Sequence, residues 1–448
     1  MINIDCTHIL DIAKKINAEI FCYKDVFVDK ISTNSKEVGE NFCFWAIRGA
    51  NFDGNEFIAE AISNGATAIV TDEKPMENIS VLTLYVDNTV KALGELAKSL
   101  KGSETVIGIT GSVGKTTVKN LTSCVLSEKY SVSFTESNFN NEIGVPFTLF
   151  KGKNYDFNVV EMGMRQLGEI EWLSYISEPE ISIITCVGSS HREYLKIKEN
   201  VFKAKTEILK HTKQYAIIPC DSEFKKIEFN HLKPIFIGEN GDCYFENASY
   251  FENGICFDVK WKNETIDDIR IHSFGNHNLY NSLFAVAIGK IYGLSNDQIK
   301  KGIFKYRGNE MREEISHYKN ITIINDCYNA SYESMRGAIS LLKTYADVHG
   351  KNTVAVLGDM LELGEFSREY HYRIGELSRD LGINRLYTTG KYGENIIDGY
   401  LGGFYYNNKH LLARALAEQL LENDVVLFKA SREIRLEKVI DEMKEMIK

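Results

Sequence analysis

Short apolar runs bounded by glycine and polar turns recur along the chain. VIGIT, FNVVEMG, ISIITCVG and YAIIPC are such runs, and the segments after the first three carry apolar residues at helical spacing. Alternation of this kind predicts a parallel sheet with helices on both faces and ligands at the carboxyl ends of its strands. Within the same region DCYFENASYFENGICFDVKW alternates residue by residue, which predicts antiparallel strands. A second strand and helix alternation follows in ITIINDCYN, NTVAVLGDM, INRLYTTG and DVVLFKASR, without a phosphate loop of its own. Nearer the N-terminus, strand-like FCFWAIRG (Phe42 to Gly49) and ATAIVTD (Ala66 to Asp72) flank the amphipathic stretch NEFIAEAISNG. TVKALGELAKSLK then reads as a helix leading into the next unit. The pattern predicts an α/β protein of three domains, at residues 1–84, 85–311 and 312–448.

Composition narrows this. At 448 residues the chain exceeds one ordinary core, and 44% hydrophobic with 25% charged residues is the composition of a soluble globular protein. The start, MINIDCTHILDIAKKI, mixes acidic and basic residues and has no continuous apolar core, so neither a signal peptide nor a membrane span is predicted. A cytoplasmic location without membrane insertion is expected. Nine cysteines lack C-x-x-C pairs and zinc spacing, which suits reduced thiols. A net charge of −10 with no dense Lys/Arg run argues against a nucleic-acid partner.

The densest chemical signal is Thr105 to Thr117, TVIGITGSVGKTT. An apolar strand empties into Gly111, Ser112, Val113 and Gly114, followed by Lys115, Thr116 and Thr117. Such a turn directs backbone N–H groups inward and starts a helix, which makes a nest for nucleotide phosphates. Lys115 would meet the terminal phosphates and the Thr116 hydroxyl would meet Mg²⁺. A plain glycine turn with a solvated lysine is the competing reading. The usual first glycine of G-x-x-x-x-G-K-T falls on Ile109, so the loop is the shorter G-x-x-G-K-T.

Other candidates lie at predicted strand ends. Glu161 closes FNVVEMG, where the carboxylate partner of a phosphate loop normally holds Mg²⁺, although a solvated turn residue would also fit. His191 follows ISIITCVG on the same predicted edge and is a candidate for a second metal, although a lone histidine is more often structural. Lys205, in ENVFKAKTEIL, reads by itself as a solvated lysine. Asn278 and Asn281 are one helical turn apart in SFGNHNLYNSLFAVAIG, and their amides suit either an adenine edge or helix capping. Arg312 could reach the γ-phosphate and Asp326 the ribose, provided the third domain closes over the second.

The order GITGSVGKTT, NFNNEIGVPFTLF, VVEMGMRQLGEIEWLS, GSSHREYL, KAKTEIL, GNHNLYNSLFA, NDCYNASYESM and VLGDMLELGE resembles the Mur ligases over nearly the whole chain. NNEIGVP, EMGMRQLGEI and LGDMLELGE are similar to the branch that adds D-alanyl-D-alanine to UDP-N-acetylmuramoyl-tripeptide in peptidoglycan synthesis. The resemblance implies a domain for the uridine nucleotide, a central phosphate-loop ATPase domain and a Rossmann-like C-terminal domain that closes with the incoming amine. It implies ATP-dependent amide formation through an acyl phosphate, with small-molecule substrates, ATP and two Mg²⁺ sites, in a monomer. By position, Lys115 corresponds to the lysine on the β- and γ-phosphates, Thr116 and Glu161 to ligands of one Mg²⁺, and His191 to a ligand of the second. Lys205 corresponds to the lysine that is carbamylated and helps hold that second metal. Asn278 and Asn281 correspond to the adenine readers, Asp326 to the ribose ligand and Arg312 to the γ-phosphate arginine. Ser35, Lys36, Asn140 and Asn141 correspond to substrate-binding positions.

The chain departs from the family pattern where the nucleotide sugar is read. Asn34-Ser35-Lys36 stands for Asp-Ser-Arg, Asp53-Gly54-Asn55 for Asp-Gly-His, and Leu195-Lys196-Ile197-Lys198 for Leu-Gly-Ser-Arg. Asn329-Ala330-Ser331-Tyr332 stands for Asn-Ala-Asn-Pro, and Lys429-Ala430-Ser431-Arg432 for Lys-Gly-Ser-Arg. Lysine in place of arginine loses the planar bidentate fork. A ligase joining a different carboxylic acid and amine, and a non-catalytic nucleotide-binding protein, are the alternative functions.

Overall fold

The computed structural model of the chain describes residues 2–49, 52–74, 80–188 and 198–447. They form three sheets in chain order, and all three mix strands with covering helices. The first runs, in space, Ile2–His8, Phe27–Ser32, Phe42–Trp45, Ala68–Thr71, Leu82–Tyr85 and Glu19–Phe21. Its inner four strands are parallel and its two outer strands antiparallel to their neighbours. The pattern of apolar positions finds Phe42–Trp45 and Ala68–Thr71 but misses Ile2–His8. That strand is broken by a register shift between Asn3 and Thr7, with Asp5 and Cys6 at φ of 56° and 49°, so its alternation is lost.

The central sheet has nine strands. From one edge, Glu264–Ile271, Gly254–Trp261 and Cys243–Phe251 form the expected antiparallel meander. The parallel part follows as Lys233–Ile237, Tyr215–Pro219, Ile181–Ile184, Thr105–Thr110, Phe157–Glu161 and Val132–Phe134. Alternate residues of its strands feed opposite cores. Ile107, Ile109 and Val159 pack with Val118, Leu121 and Val125 of the helix Lys115–Leu126 and with Leu283 and Phe284 of the helix Asn276–Ile291. Val106 and Val160 face the other way, towards Leu149, Ile170 and Leu173.

The third sheet runs Glu314–Tyr318, Ile321–Asp326, Asp424–Lys429, Asn352–Leu357, Arg385–Thr389 and Phe404–Tyr406, parallel except for its first pair. Separate apolar clusters cover its two faces. Among the described residues no helix is long and apolar enough to cross a membrane.

The first sheet is joined to the central one through the helix Thr89–Leu100. Its Leu93 and Leu96 belong to one apolar cluster with Trp45, Val70 and Leu84 of the first sheet and Val106 and Val160 of the second. Trp45 is buried, and its indole N–H donates to the Thr89 carbonyl at 2.7 Å. Trp45→Phe keeps much of the apolar volume but removes that hydrogen bond. Urea unfolding should show the variant less stable by about 0.5–1.5 kcal/mol, the usual net worth of one such bond. An unchanged midpoint would mean the tie carries no weight.

Candidate active site

Three neighbouring parallel strands end level with one another. Ile109 pairs with Glu161 on one side, and Thr110 pairs with Ile184 on the other. The loop after Thr110 and the ends of the two flanking strands therefore share one edge, as expected for a phosphate loop and its acidic partner.

Gly111 has φ of 149° and Gly114 has φ of 84°, both in the region that disfavours side chains. A Cβ on Gly111 would stand 1.9 Å from the Thr185 hydroxyl oxygen, and one on Gly114 would stand 2.8 Å from Asn281 Oδ1. The loop is stitched to the strand beside it. Ser112 N–H donates to the Cys186 carbonyl at 2.9 Å, the Thr185 hydroxyl donates to the Val113 carbonyl at 2.5 Å, and Gly188 N–H donates to the Ser112 hydroxyl at 2.9 Å. Gly114 precedes the helix Lys115–Leu126, so the first N–H groups of that helix open towards the loop. Lys115 Nζ donates to the Gly111 carbonyl at 2.8 Å and to the Ser112 carbonyl at 3.3 Å. Burial lowers its pKa, and the Glu161 charge partly restores it. Thr117 lies on the same helix, within hydrogen-bonding reach of Tyr306.

Glu161 is 3% exposed and held on three sides. The Thr116 hydroxyl donates to its Oε2 and Asn140 Nδ2 to its Oε1, each at 2.9 Å, while its own N–H donates to the Thr135 hydroxyl. A carboxylate and a hydroxyl oxygen, placed next to an N–H-lined loop, form the donor set a hard cation takes. Asn141 Oδ1 accepts from Gly144 N–H at 2.9 Å, at the first residue of the helix Gly144–Gly152.

Lys205 contradicts the bland picture of a solvated lysine. It is 0% exposed, on the helix Lys198–Thr206, and its Nζ has no hydrogen-bond partner among the described residues. Burial, and then repulsion from Lys115, hold its pKa well below the ordinary lysine value, so the amine is readily neutral. His191 lies outside the described residues. Among those described, no group of three or more His, Cys, Asp or Glu side chains is placed to hold a metal.

The seam between the central and third sheets carries a second polar cluster. Asn278 and Asn281 are both buried, and Asn281 Nδ2 donates to Asn278 Oδ1 at 3.1 Å. Asn278 Nδ2 donates to the Ser273 hydroxyl at 2.8 Å and to Glu313 Oε2 at 2.9 Å, while Glu313 Oε1 lies 2.6 Å from His277 Nε2. Burial alone would lower the His277 pKa, but the Glu313 carboxylate more than offsets that and holds it above the ordinary value. Asp326 pairs with Lys429 at 2.6 Å, and burial outweighs that pairing to keep its carboxyl pKa raised. Arg312 lies with its guanidinium 4.1 Å from the centre of the Tyr328 ring. Ser35 and Lys36 stand apart, in the first sheet's layer, where the Ser35 hydroxyl donates to Glu60 and Lys36 is exposed.

Sequence reasoning missed Lys119 and Glu313. Lys119 is buried one turn after Lys115, its Nζ on the Thr135 carbonyl at 2.5 Å. Its i, i+4 spacing from Lys115 was the available signal. Glu313 has φ of 54°, and nothing in the sequence marks it beyond its place beside Arg312.

Comparison with known proteins agrees with this geometry. The Mur ligase family catalytic domain matches residues 28–101, the Mur ligase middle domain residues 109–289, and the Mur ligase glutamate ligase domain residues 311–432. The chain belongs to the Mur ligase family, and it is an ATP-dependent ligase. It is 34% identical to the UDP-N-acetylmuramoyl-tripeptide–D-alanyl-D-alanine ligase of Bacillus subtilis over 94% of both chains. It is 30% identical to the enzyme of the same name from Escherichia coli over 99% of both. Among solved structures it resembles MurF from Acinetobacter baumannii, with a TM-score of 0.91 and 25% identity over 98% of this chain and 100% of that one. It also resembles MurF from Thermotoga maritima in complex with ADP, with a TM-score of 0.85 and 29% identity over 93% and 97%.

Gly111→Ala should fold yet bind ATP at least roughly tenfold more weakly, because the new methyl displaces Thr185 and with it the loop carbonyl it holds. Titration calorimetry with ATP checks this, with the melting temperature as control. ATP affinity equal to wild type would show the loop does not need this contact.

Proposed function

We propose that the chain joins D-alanyl-D-alanine to UDP-N-acetylmuramoyl-tripeptide at the expense of ATP, in the cytoplasmic synthesis of a peptidoglycan precursor. One observation carries the reading: a phosphate loop, a buried carboxylate and a buried lysine whose Nζ has no hydrogen-bond partner among the described residues come together in a chain similar end to end to ligases of that name. Residues 1–84 would take the uridine nucleotide, with Ser35 and Lys36 among the contacts, and residues 85–311 would bind ATP. Residues 312–448 would bring the amine. Asn140, bonded to Glu161, and Asn141 would meet the substrate carboxylate.

A carboxylate is a poor electrophile, and phosphorylation gives it a leaving group. The loop N–H groups and Lys115 would offset the charge of the γ-phosphate as the substrate carboxylate attacks it. Arg312 would swing from the Tyr328 ring to the same phosphate, Asn278 and Asn281 would read the adenine, and Asp326 would hold the ribose. The amine then attacks the acyl carbon, and phosphate leaves as the tetrahedral intermediate collapses. Packing the third sheet's unit over the loop excludes water that would otherwise hydrolyse the acyl phosphate.

Thr116 and Glu161 would hold one Mg²⁺, and His191 with Lys205 a second, supplying charge neutralisation between the two anions. Lys205 suits that role only after modification, since an amine is no ligand for a hard cation. Its neutral Nζ can add to carbon dioxide, forming a C–N bond and losing a proton, and the resulting carbamate fills the place of a carboxylate. The Nζ, desolvated and without a hydrogen-bond partner among the described residues, supports this.

Purified protein given UDP-N-acetylmuramoyl-tripeptide, D-alanyl-D-alanine and ATP should release phosphate and form the pentapeptide, detected by mass spectrometry. ATP binding without phosphate release on these substrates would sink the substrate assignment in favour of another acid and amine. Lys205→Ala should lose activity by about a hundredfold or more, and short carboxylic acids should restore part of it by supplying the missing carboxylate. Full activity in Lys205→Ala without added acid would refute the carbamate role.

A further inference from the structure

The strand Val132–Phe134 is the outer strand of the central sheet, parallel to its neighbour Phe157–Glu161. The last bond of that ladder runs from Thr135 N–H to the Val159 carbonyl at 3.0 Å. In a parallel ladder a residue that donates in this way accepts in turn, on its own carbonyl, from the N–H two places further along the partner strand. That N–H belongs to Glu161, yet it does not go to the Thr135 carbonyl. It donates instead to the Thr135 hydroxyl at 2.9 Å, and the carbonyl is taken by Lys119 Nζ at 2.5 Å. A side chain of the phosphate-loop helix has replaced the ladder partner.

The exchange ends the outer strand beside Glu161. The chain leaves the sheet at Thr135 and has turned back by Asn140, whose Nδ2 reaches Glu161 Oε1 at 2.9 Å and whose carbonyl accepts from Gly163 N–H at 2.7 Å. Thr135 is 0% exposed and Lys119 3%. Among the described residues the Thr135 carbonyl is the one hydrogen-bond acceptor that the Lys119 ammonium finds. An ammonium so enclosed loses more in hydration than one neutral carbonyl returns, so stability alone does not account for the contact. Burial lowers the Lys119 pKa and the Glu161 charge restores part of it, which puts the ammonium within charge range of that carboxylate.

We infer that Lys119 is a positioning residue for Glu161: by taking the Thr135 carbonyl it leaves Glu161 N–H to the Thr135 hydroxyl, and so aims Glu161, with Asn140, at the cation site beside the phosphate loop. The inference rests on the reading of Thr116 and Glu161 as a Mg²⁺ site. Without the lysine, Glu161 N–H is free to return to the Thr135 carbonyl, which draws the outer strand one residue further and moves Asn140 with it. The two consequences of losing the ammonium have opposite signs. Removing a positive charge near a cation site would by itself tighten the cation, whereas loss of aim weakens it.

Titration calorimetry with ADP on the full-length protein, in Mg²⁺ and in EDTA, reads the gain in ADP affinity that the metal gives. Lys119→Met, which keeps length and apolar contact, should cut that gain roughly tenfold or more, while ADP affinity in EDTA stays within about threefold. Thr135→Val keeps the carbonyl and the side-chain shape but loses the hydroxyl, and it should show the same defect with no change of charge. The double variant should be no worse than the worse single one, because both break one path. The melting temperature is the control for fold. An undiminished or enlarged gain in either single variant, an equal loss of ADP affinity with and without metal, or single effects that multiply in the double variant would each overturn the inference. A wild-type protein in which Mg²⁺ gives no gain overturns the metal reading above, and the positioning role falls with it.

Discussion

The register of three parallel strands is the constraint on which the rest of this site depends. With Ile109 opposite Glu161 and Thr110 opposite Ile184, the chain leaves all three strands at one level and must turn there. The loop that follows cannot bow outwards, because Gly111 lies against the Thr185 hydroxyl and that hydroxyl is bonded to the Val113 carbonyl. The direction of the loop amides is thus set by the neighbouring strand and not by the loop itself. The same register places Glu161 one hydrogen bond from Thr116, on the first turn of the helix that the loop starts. A slip of one residue would turn each of these side chains to the opposite face.

That geometry creates an electrostatic imbalance with chemical consequences. Lys115, Lys119 and Lys205 are all drawn below the ordinary lysine value by burial, and Glu161 acts on each of them in the opposite sense. Glu136 adds to its effect at Lys119 and Glu169 at Lys205. Lys115 and Lys119 each find carbonyl acceptors, at Gly111 and Ser112 for the first and at Thr135 for the second. Lys205 finds none among the described residues, and the cheapest state for such a group is the uncharged amine. An uncharged lysine in a desolvated site is a nucleophile, and the proposed carbamate would place a negative charge beside Lys115.

Much of this was legible in the sequence because it follows from local pattern. The alternation of apolar strands with helical segments announced the central and third sheets, and GSVGKTT announced the loop, since glycine is required where φ is positive. Glu161 was legible because strand ends are. The burial of Lys205 was not, because KAKTEIL carries lysines at both faces of a short helix and only packing decides which one is enclosed. The first sheet was half hidden, since short edge strands such as Glu19–Phe21 and the irregular Ile2–His8 lack a sustained period. The cross-sheet partners of the seam, Glu313 to Asn278 and Glu333 to Gly188, join residues distant in sequence and leave no local trace.

The seam has a logic of its own. As proposed, Asn278 reads the adenine, yet in this structure its amide nitrogen is engaged by Glu313, at the start of the third unit, and Glu313 is held in turn by His277. A base that takes up the Asn278 amide must displace or share that acid. Nucleotide binding and the seating of the third unit then compete for, or cooperate through, one side chain, and any free-energy coupling between them is reciprocal. Asp326 is paired instead with Lys429 on the neighbouring strand of its own sheet, so a nucleotide that takes up its carboxylate would disturb a pair inside the third unit. The Glu313 contact that fastens the third unit to this edge is thus one that a nucleotide at Asn278 would remodel, which would couple the arrival of the nucleotide to the position of the third unit.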